Sequence, residues 1–234
     1  FARMNRFLFW LGAALLGGGF LWYLVARALA LPITIDEACT CMNSVPRPVF
    51  DILTYRADPV PNNHIHNTLG IKLFAAIGGL NHFTARLPAL LGGLLYLVAA
   101  CGLAQRLARH WFVRLLAVVL LLGNPFVDEF FALGRGYGVA LGLMLAAIWQ
   151  AWVFWETPRR RTLAVAVALA GLSVLANFAW LNFFAPFVTL LTLWLVLNRK
   201  STSLRTFLPV VGGGVVACAT LCYLPLRAIS STDQ

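Results

Sequence analysis

The chain has 234 residues, of which 61% are hydrophobic and 11% are charged, and its mean hydropathy is +0.82. This composition excludes a soluble domain with a solvated surface and predicts an all-α, polytopic membrane protein whose surroundings are the lipid bilayer. The formal net charge of +10 would suggest nucleic-acid binding in a soluble protein. No basic stripe is interleaved with aromatic residues, however, so we expect no nucleic-acid partner.

About seven apolar runs approach the roughly 20 residues of a spanning helix, and they predict one transmembrane module over residues 1–234. The predicted spans are Phe7 to Ala26, Arg86 to Leu103, Trp111 to Phe131, Tyr137 to Trp155, Thr162 to Asn177, Leu181 to Leu197 and Phe207 to Leu226. The first run lacks a small-residue cleavage site, so we expect a retained anchor. The stretch from Thr162 to Leu197 is too long for one span, and we expect a break at NFAWLN.

A long outer loop over residues 32–84 lies between the first two predicted spans and contains the segment HIHNTLGIKLFAAIGGL. This segment has only about 16 residues, with Lys72 inside it, and is short for a span. Ile65, Leu69, Leu73 and Ala76 would share one side of a helix, which favours a helix lying in the membrane interface. Loops of this length are more often functional than shorter ones.

The distribution of charge favours the interfacial position of this segment. With an interfacial helix and a cytoplasmic amino terminus, the inner segments hold eleven of the 18 basic residues, and the outer segments hold all of the acids except Glu156. The whole positive excess then lies inside, as short loops of membrane proteins require. We therefore predict a cytoplasmic amino terminus and a periplasmic carboxyl terminus, with Asp36 and Glu37 on the outer face.

Ionisable residues of the predicted outer face gather in three segments. These are IDEACT, DPVPNNHIHN and NPFVDEFFALGRGYG, which hold Asp36, Glu37, Asn63, His64, Asp128, Glu129, Arg135 and Tyr137. Carboxylates at such a surface can act as a general base or hold a divalent cation, and neighbouring Arg, Lys and His can bind a phosphate. The combination favours a phosphate-bearing lipid as the substrate.

Simpler interpretations stay open for each segment. Asp36 and Glu37 fit a solvated turn or the first turn of a helix, and GRGYG fits a tight turn with Tyr137 as an interface anchor. His64 and His66 are two residues that we do not expect to share a metal ion. No Asp, Glu, Lys, Arg or His lies in the middle of a predicted span, which argues against a proton or ion transporter.

Taken together, the motifs resemble the GT-C membrane glycosyltransferases, in particular the bacterial protein O-mannosyltransferase-like and aminoarabinose-transferase-like branches. The resemblance covers the whole chain as an amino-terminal seven-span module. It lies in the Asp36-Glu37 motif after the first span, in NNHIHNTLGIKLFAAIGGLNHFTARLPALLGGLLYLVA, and in NPFVDEFFALGRGYGVALGLMLAAI. Ile65 follows His64 where related sequences often carry a proline. Members of this family usually continue with further spans, whereas the sequence here ends at Gln234.

The resemblance implies an inverting transfer of a sugar from a polyprenyl-phosphate donor to a lipid, protein or glycan acceptor at the outer face of the bacterial inner membrane. It implies that Asp36 is the catalytic base and that Glu37 orients the acceptor or the base. Asp128 and Glu129 match the second acidic motif, which makes them candidate ligands of a divalent cation, although no metal is assigned. The expected substrate-binding residues are Asn63, His64, Lys72, Arg86, Glu129, Arg135 and Tyr137. The alternative is a noncatalytic subunit or scaffold bound to membrane protein partners, with the glycines at positions 17–19 and 212–214 as packing surfaces.

Overall fold

The computed structural model describes residues 2–56, 64–198 and 204–230, and every regular element in these ranges is helical. The helices are α1 (Ala2–Ala30), α2 (Ile35–Cys39), a π-helix (Thr40–Ser44), α3 (Val49–Leu53), α4 (Ile65–Gly78), α5 (His82–Leu107), α6 (Trp111–Leu122), α7 (Pro125–Ala132), α8 (Gly136–Glu156), α9 (Arg160–Ala176), a 3-10 helix (Phe178–Trp180), α10 (Leu181–Leu197) and α11 (Leu204–Ser230). The predicted all-α architecture is confirmed for this part of the chain.

Five of these segments are long and apolar enough to cross a membrane, which makes the chain a multi-pass membrane protein. They contain α1, α5, α8, α10 and α11. A sixth crossing results if α6 and α7 form one span, although their axes meet at 64°. Helix α9 has 17 residues, which is the lower limit of the usual range of about 17–25. The count of seven spans therefore stays a prediction.

The bend between α6 and α7 follows from three residues at the junction. Gly123 ends α6, Asn124 caps α7 by accepting a hydrogen bond from the backbone N–H of Phe126 at 3.1 Å, and Pro125 is the first residue of α7. Because proline has no N–H and fixes its own φ, it is favoured at a helix start and cannot continue a helix. The span predicted from Trp111 to Phe131 is thus made of two helices, α6 and α7.

The predicted break in NFAWLN is confirmed. Helix α9 ends at Ala176, and Asn177 is extended and caps the following 3-10 helix, since its Oδ1 accepts a hydrogen bond from the backbone N–H of Ala179 at 2.9 Å. Helix α10 begins directly afterwards, at Leu181. The chain therefore reverses at Asn177, and this reversal lies beside the candidate site.

Helix α8 joins two apolar cores. One core is built mainly from α1, α5, α6 and α7, and the other from α9, α10 and α11, with α8 contributing to both. Helices α5 and α8 approach so closely that a Cβ added at Gly142 would collide with the carbonyl oxygen of Gly92. Small residues of this kind let transmembrane helices associate through backbone contact, because lipid provides no hydrophobic force between them.

The long outer loop is largely helical in its described part, and α4 packs against α5, α8 and α9. The predicted apolar side of this segment is wrong in detail. Ile65 is buried inside the protein, together with Asn67 and Ile71, whereas Leu73 and Ile77 are exposed. Its 14 residues are too few for a span, and its predicted position in the membrane interface stays a prediction.

The helix ends form two groups at opposite ends of the bundle. Arg106 and Glu156 form an ion pair that joins the ends of α5 and α8. At the other end, Arg27 Nη2 lies 2.5 Å from Glu129 Oε1 and joins the end of α1 to α7. The carboxyl-terminal end of α11 lines a cavity with the start of α8. The start of α1 and the end of α11 therefore lie at opposite ends of the bundle, and the three predicted polar segments approach the second end.

Candidate functional site

A buried ion pair between Glu37 and Arg86 lies at the base of the site, and both side chains are only 1% exposed. Arg86 Nε donates to Glu37 Oε1 at 2.8 Å, and Arg86 Nη2 donates to Oε2 at 2.9 Å. The pair is thus bidentate, which is the strongest geometry for a guanidinium and a carboxylate. Such a pair fixes the relative position of α2 and α5.

The remaining hydrogen bonds of this pair attach it to three further segments. Arg86 also donates to the carbonyl oxygens of Ala28, Leu31 and Pro32 at 2.7–2.9 Å, which satisfies carbonyls at the end of α1. Glu37 accepts the backbone N–H of Gly134 at 2.6 Å. Five N–H groups are the full donor set of arginine. The geometry therefore gives Arg86 a structural role, and in this structure it has no N–H group left for a substrate phosphate.

Local sequence explains why Glu37 points inward. Thr34 caps α2, since its Oγ1 accepts the backbone N–H of Glu37 at 3.3 Å while the Glu37 carboxylate accepts the backbone N–H of Thr34 at 2.8 Å. This reciprocal pattern is a capping box. Burial acts to raise the pKa of Glu37, but the hydrogen bonds from Arg86, Thr34 and Gly134 outweigh it, so that the pKa lies below its usual value. Glu37 is therefore ionised and held in place.

Gly134 must be a glycine for this arrangement to form. A Cβ added there would lie 2.8 Å from the carbonyl oxygen of Ala85 and 3.1 Å from Glu37 Oε1. The carbonyl oxygen of Gly134 in turn accepts a hydrogen bond from Asn67 Nδ2 at 2.7 Å. This residue thus connects the GRGYG segment to both α2 and α4, which brings the three predicted polar segments together.

Asp36 differs from Glu37 because its side chain is 45% exposed. Its Oδ2 lies 2.8 Å from Arg135 Nη1. The Arg135 guanidinium also lies over the ring of Tyr137, 5.1 Å from the ring centre, as in a cation–π contact. The two adjacent acids therefore have separate environments, one buried and fully bonded, the other open to solvent beside a cation.

A polar cavity of about 370 Å³ opens beside this second ion pair. We call it the polar cavity, and it is lined by His64, Arg135, Tyr137, Asn177, Phe178, Ala179, Leu226 and Ile229. His64 and Asn177 are 7% and 6% exposed. Neither His64 Nε2 nor Asn177 Nδ2 has a hydrogen-bond partner within the described ranges. Buried polar atoms are normally paired, so these two atoms can bond a ligand or water.

His64 is uncharged at neutral pH. Burial and, to a lesser extent, the positive charge of Arg135 lower its pKa to about 4, and the negative charge of Asp36 opposes them only in part. The imidazole lies edge to face with Tyr137, with 5.4 Å between ring centres, and Tyr137 stacks on Phe130 at 4.8 Å. The polar cavity therefore combines a neutral imidazole with aromatic side chains.

Other predicted site residues lie elsewhere. Lys72 Nζ donates to the carbonyl oxygens of Val45 and Arg47 at 2.8 and 3.0 Å and so fixes the segment after the π-helix. Glu129 bonds Arg27, as described above. Asp128 lines a different cavity, together with α1 and α6. Asn63 falls outside the described residues. Of the predicted residues, the polar cavity thus collects His64, Arg135 and Tyr137, with Asp36 at Arg135.

The acidic residues of α7 do not form a metal centre in this structure. No group of three or more His, Cys, Asp or Glu side chains able to hold a metal ion occurs within residues 2–56, 64–198 and 204–230. Glu129 is engaged by Arg27. Asp128 and Glu129 alone supply fewer ligands than a divalent cation requires.

An apolar cleft of about 750 Å³ lies between α10 and α11. Its lining includes Phe184, Cys218 and Tyr223, with Arg227 and Ser230 at the end of α11. Leu226 lines both this cleft and the polar cavity, so the two spaces are neighbours. The sequence interpretation did not identify Asn177, Phe178 or Arg227 as site residues. A capping asparagine at a chain reversal was the available signal for Asn177.

Comparison of the chain with protein-family models, with curated proteins and with solved structures finds no match. The function is therefore inferred from the chemistry of the site.

Proposed function

We propose that the protein is a GT-C-type glycosyltransferase of the bacterial inner membrane. It transfers a sugar from a polyprenyl-phosphate donor to an acceptor at the periplasmic face, with inversion, and Asp36 is the base. The observation that supports this proposal is the half-exposed Asp36 carboxylate beside the polar cavity. Asp36 lies in a helix that the buried Glu37–Arg86 pair holds in place. A base must be accessible and precisely positioned, and Asp36 meets both conditions.

The proposed topology has seven spans, with α6 and α7 counted as one bent span and α9 as another. The amino terminus is then cytoplasmic and the carboxyl terminus periplasmic, as the excess of basic residues in the inner segments requires. In this orientation the polar cavity faces the periplasm, where a lipid-linked donor and an external acceptor meet.

The proposed reaction is a single displacement. Asp36 accepts the proton of the acceptor hydroxyl while the acceptor oxygen attacks the anomeric carbon of the sugar. The bond between that carbon and the phosphate oxygen breaks on the opposite face, and its electron pair leaves with the polyprenyl phosphate. Asp36 then releases the proton to water. The guanidinium group of Arg227 lines the apolar cleft and can stabilise the charge on the leaving phosphate. Arg135 instead bonds Asp36, on the side of the base.

The two adjoining cavities suit the two ends of such a donor. The apolar cleft between α10 and α11 can take part of the isoprenoid chain, and the polar cavity can take the sugar. Arg227 lines the end of the apolar cleft and is exposed. We propose it as a further phosphate-binding residue, because Lys72, Arg86 and Arg135, the cations among the predicted substrate-binding residues, bond groups of the protein itself.

The test is the release of polyprenyl phosphate from a panel of polyprenyl-phosphate hexoses and pentoses by the full chain in lipid nanodiscs, with an extract of bacterial membranes and periplasm supplying the acceptor. Removing a general base lowers the rate by about 100-fold or more, and we expect this of Asp36→Asn. The matched control is Asp51→Asn in α3, which removes a carboxylate that does not line the polar cavity. A folded Asp36→Asn variant that releases polyprenyl phosphate as fast as the unmodified chain would exclude Asp36 as the base.

The alternative is a noncatalytic subunit of a larger membrane complex, and one observation favours it. A Cβ added at Gly18, Gly19, Gly212 or Gly213 would meet open space, whereas at Gly17 and Gly214 it would meet Leu97 and Val167. The open glycines on α1 and α11 could admit close packing by a partner helix. Stable co-purification with a membrane protein in fixed ratio, without release of polyprenyl phosphate, would support this alternative.

A further inference from the structure

The polar cavity carries hydrogen-bonding groups that the fold itself does not use. Asn177 Oδ1 is occupied by its cap to Ala179, so Nδ2 is the remaining polar atom of that side chain, and it is a donor. His64 Nε2 is likewise unpartnered within the described ranges. A neutral imidazole offers one donor and one acceptor. This set complements hydroxyl groups, each of which both donates and accepts.

The charged groups at the polar cavity neutralise each other. Among the described residues, the lining contains one formal charge, that of Arg135, and its guanidinium bonds the carboxylate of Asp36. His64 contributes no charge at neutral pH because burial lowers its pKa to about 4. No carboxylate lies among the described lining residues, and Asp36 is linked to the cavity through Arg135. An ammonium group bound here would lie near a cation without a counter-ion of its own, which is unfavourable in a buried site.

Aromatic side chains supply the remaining wall of the polar cavity. Tyr137 and Phe178 both line it, and Tyr137 is held between the Phe130 ring and the edge of His64. Aromatic rings present flat apolar surface, which suits the C–H face of a pyranose or furanose ring. Polar and aromatic groups on one cavity are therefore matched to a ring that has hydroxyl groups at its edge and C–H groups on its face.

We infer that the polar cavity binds an uncharged, hydroxyl-bearing sugar ring and discriminates against an amino sugar. This inference rests on the proposed function, because it names the sugar class that the proposed donor carries. Asn177 and His64 bond the sugar hydroxyls, and Phe178 packs on the ring, since the Tyr137 ring already contacts Phe130 and Arg135. The carboxylate of Asp36 is paired with Arg135, which leaves no unpaired negative charge for an amine.

The experiment measures binding of three probes to the full chain by calorimetry in phosphatidylcholine nanodiscs, which avoids glycoside detergents. The probes are farnesyl phosphate, farnesyl phosphate carrying glucose, and farnesyl phosphate carrying glucosamine. We expect the glucose probe to bind at least about tenfold more tightly than the glucosamine probe. Farnesyl phosphate alone should also bind more weakly than the glucose probe.

The variant Asn177→Asp tests the charge argument directly. It keeps an oxygen for the cap to Ala179 and replaces the Nδ2 donor with a second carboxylate oxygen. We expect it to shift the preference toward the glucosamine probe by about tenfold or more. The matched control is Asn124→Asp, which makes the same change at the exposed cap of α7, outside the polar cavity. The control should leave the preference unchanged.

Equal binding of the two sugar probes, or tighter binding of the glucosamine probe by the unmodified chain, would overturn the inference. So would an unchanged preference in Asn177→Asp, or the absence of any gain from the glucose moiety. Failure of the proposed function is distinguishable, since selective binding of glucose without release of polyprenyl phosphate refutes the transfer but supports the inference. Transfer of an amino sugar in preference to a neutral one would support the proposed function and refute the inference.

Discussion

Replacing Glu37 by glutamine should destabilise the fold strongly, although the side chain keeps its shape. The carboxylate accepts four hydrogen bonds, two from Arg86 and one each from the backbone N–H groups of Thr34 and Gly134. In either orientation, the glutamine amide would turn an NH₂ group toward two of these donors. Each hydrogen bond to a charged group contributes about 1.5–3 kcal/mol, so two lost bonds cost about 3–6 kcal/mol. Breaking a buried ion pair at one partner has a similar cost of about 3–5 kcal/mol.

The assay is reversible unfolding of the full chain by sodium dodecyl sulfate in mixed micelles, followed by circular dichroism. The matched control is Asp36→Asn, the same chemical change one residue earlier. Because Asp36 is half-exposed and forms an ion pair near the surface, its loss should lower the free energy of unfolding by less than about 1 kcal/mol. The double variant Glu37→Gln with Arg86→Met should cost less than the sum of the single variants, since each single variant leaves a buried charge unpaired and the double variant does not.

The single variant Glu37→Gln should also change how the stability of the fold depends on pH. The pKa of Glu37 is lower in the folded protein than its usual value of 4.5, with burial opposing this shift and the hydrogen bonds prevailing. Its contribution to stability is therefore fully present above pH 4.5 and is lost as the pH falls toward the folded pKa. Glu37→Gln should lack this acid-dependent loss. A cost no greater than that of Asp36→Asn, or an unaltered acid slope, would refute a structural role for the ion pair.

Two further predictions concern packing and histidine titration. Gly142→Ala should destabilise the bundle by about 1–3 kcal/mol because its Cβ would collide with the Gly92 carbonyl oxygen. The control Gly213→Ala places its Cβ in open space and should not destabilise the bundle. Equal unfolding midpoints of the two variants would contradict this prediction. The pKa of His64 is about 4 in the folded protein and 6.5 when unfolded. The free energy of unfolding should therefore decrease by up to about 3 kcal/mol as the pH falls from 6.5 to 4. His64→Gln should reduce this dependence of the unfolding free energy on pH. Part of the dependence should remain because burial also lowers the pKa of His66. An unchanged pH dependence would contradict the buried, neutral state of His64.

Hydropathy predicted the long helices well because it reports what each segment must exclude from water. Helices α1, α5, α8, α10 and α11 all coincide with predicted spans, within a few residues at their ends. Hydropathy did not reveal the 64° bend after α6, since a bend changes the path of the chain without changing its composition. The Gly123-Asn124-Pro125 sequence was the local signal, because it combines a helix end, a cap and a helix start.

The separate environments of Asp36 and Glu37 were only partly readable from the sequence. The spacing of Thr34 and Glu37 is that of a capping box, which predicts that Glu37 turns back toward its own helix start. The partner of Glu37 is Arg86, which lies 49 residues further along the chain. Contacts at such separations depend on how α1, α2 and α5 pack, and a single sequence contains no pattern for them. The same limit applies to Asn177, which lines the same cavity as His64 and Arg135 only because α9 packs against α8.

The buried ion pair also explains how a half-exposed carboxylate can be positioned at a membrane surface. Loops there lack a surrounding core, so a side chain such as Asp36 would otherwise sample many positions. Here the hydrogen bonds of Arg86 to the end of α1 and of Glu37 to Gly134 fix the position of α2. Because Asp36 directly precedes Glu37 in the same short helix, its backbone is fixed by its neighbour while its own carboxylate stays open to solvent. An adjacent pair of acids thus combines rigidity with accessibility, which one carboxylate alone could not provide at this position.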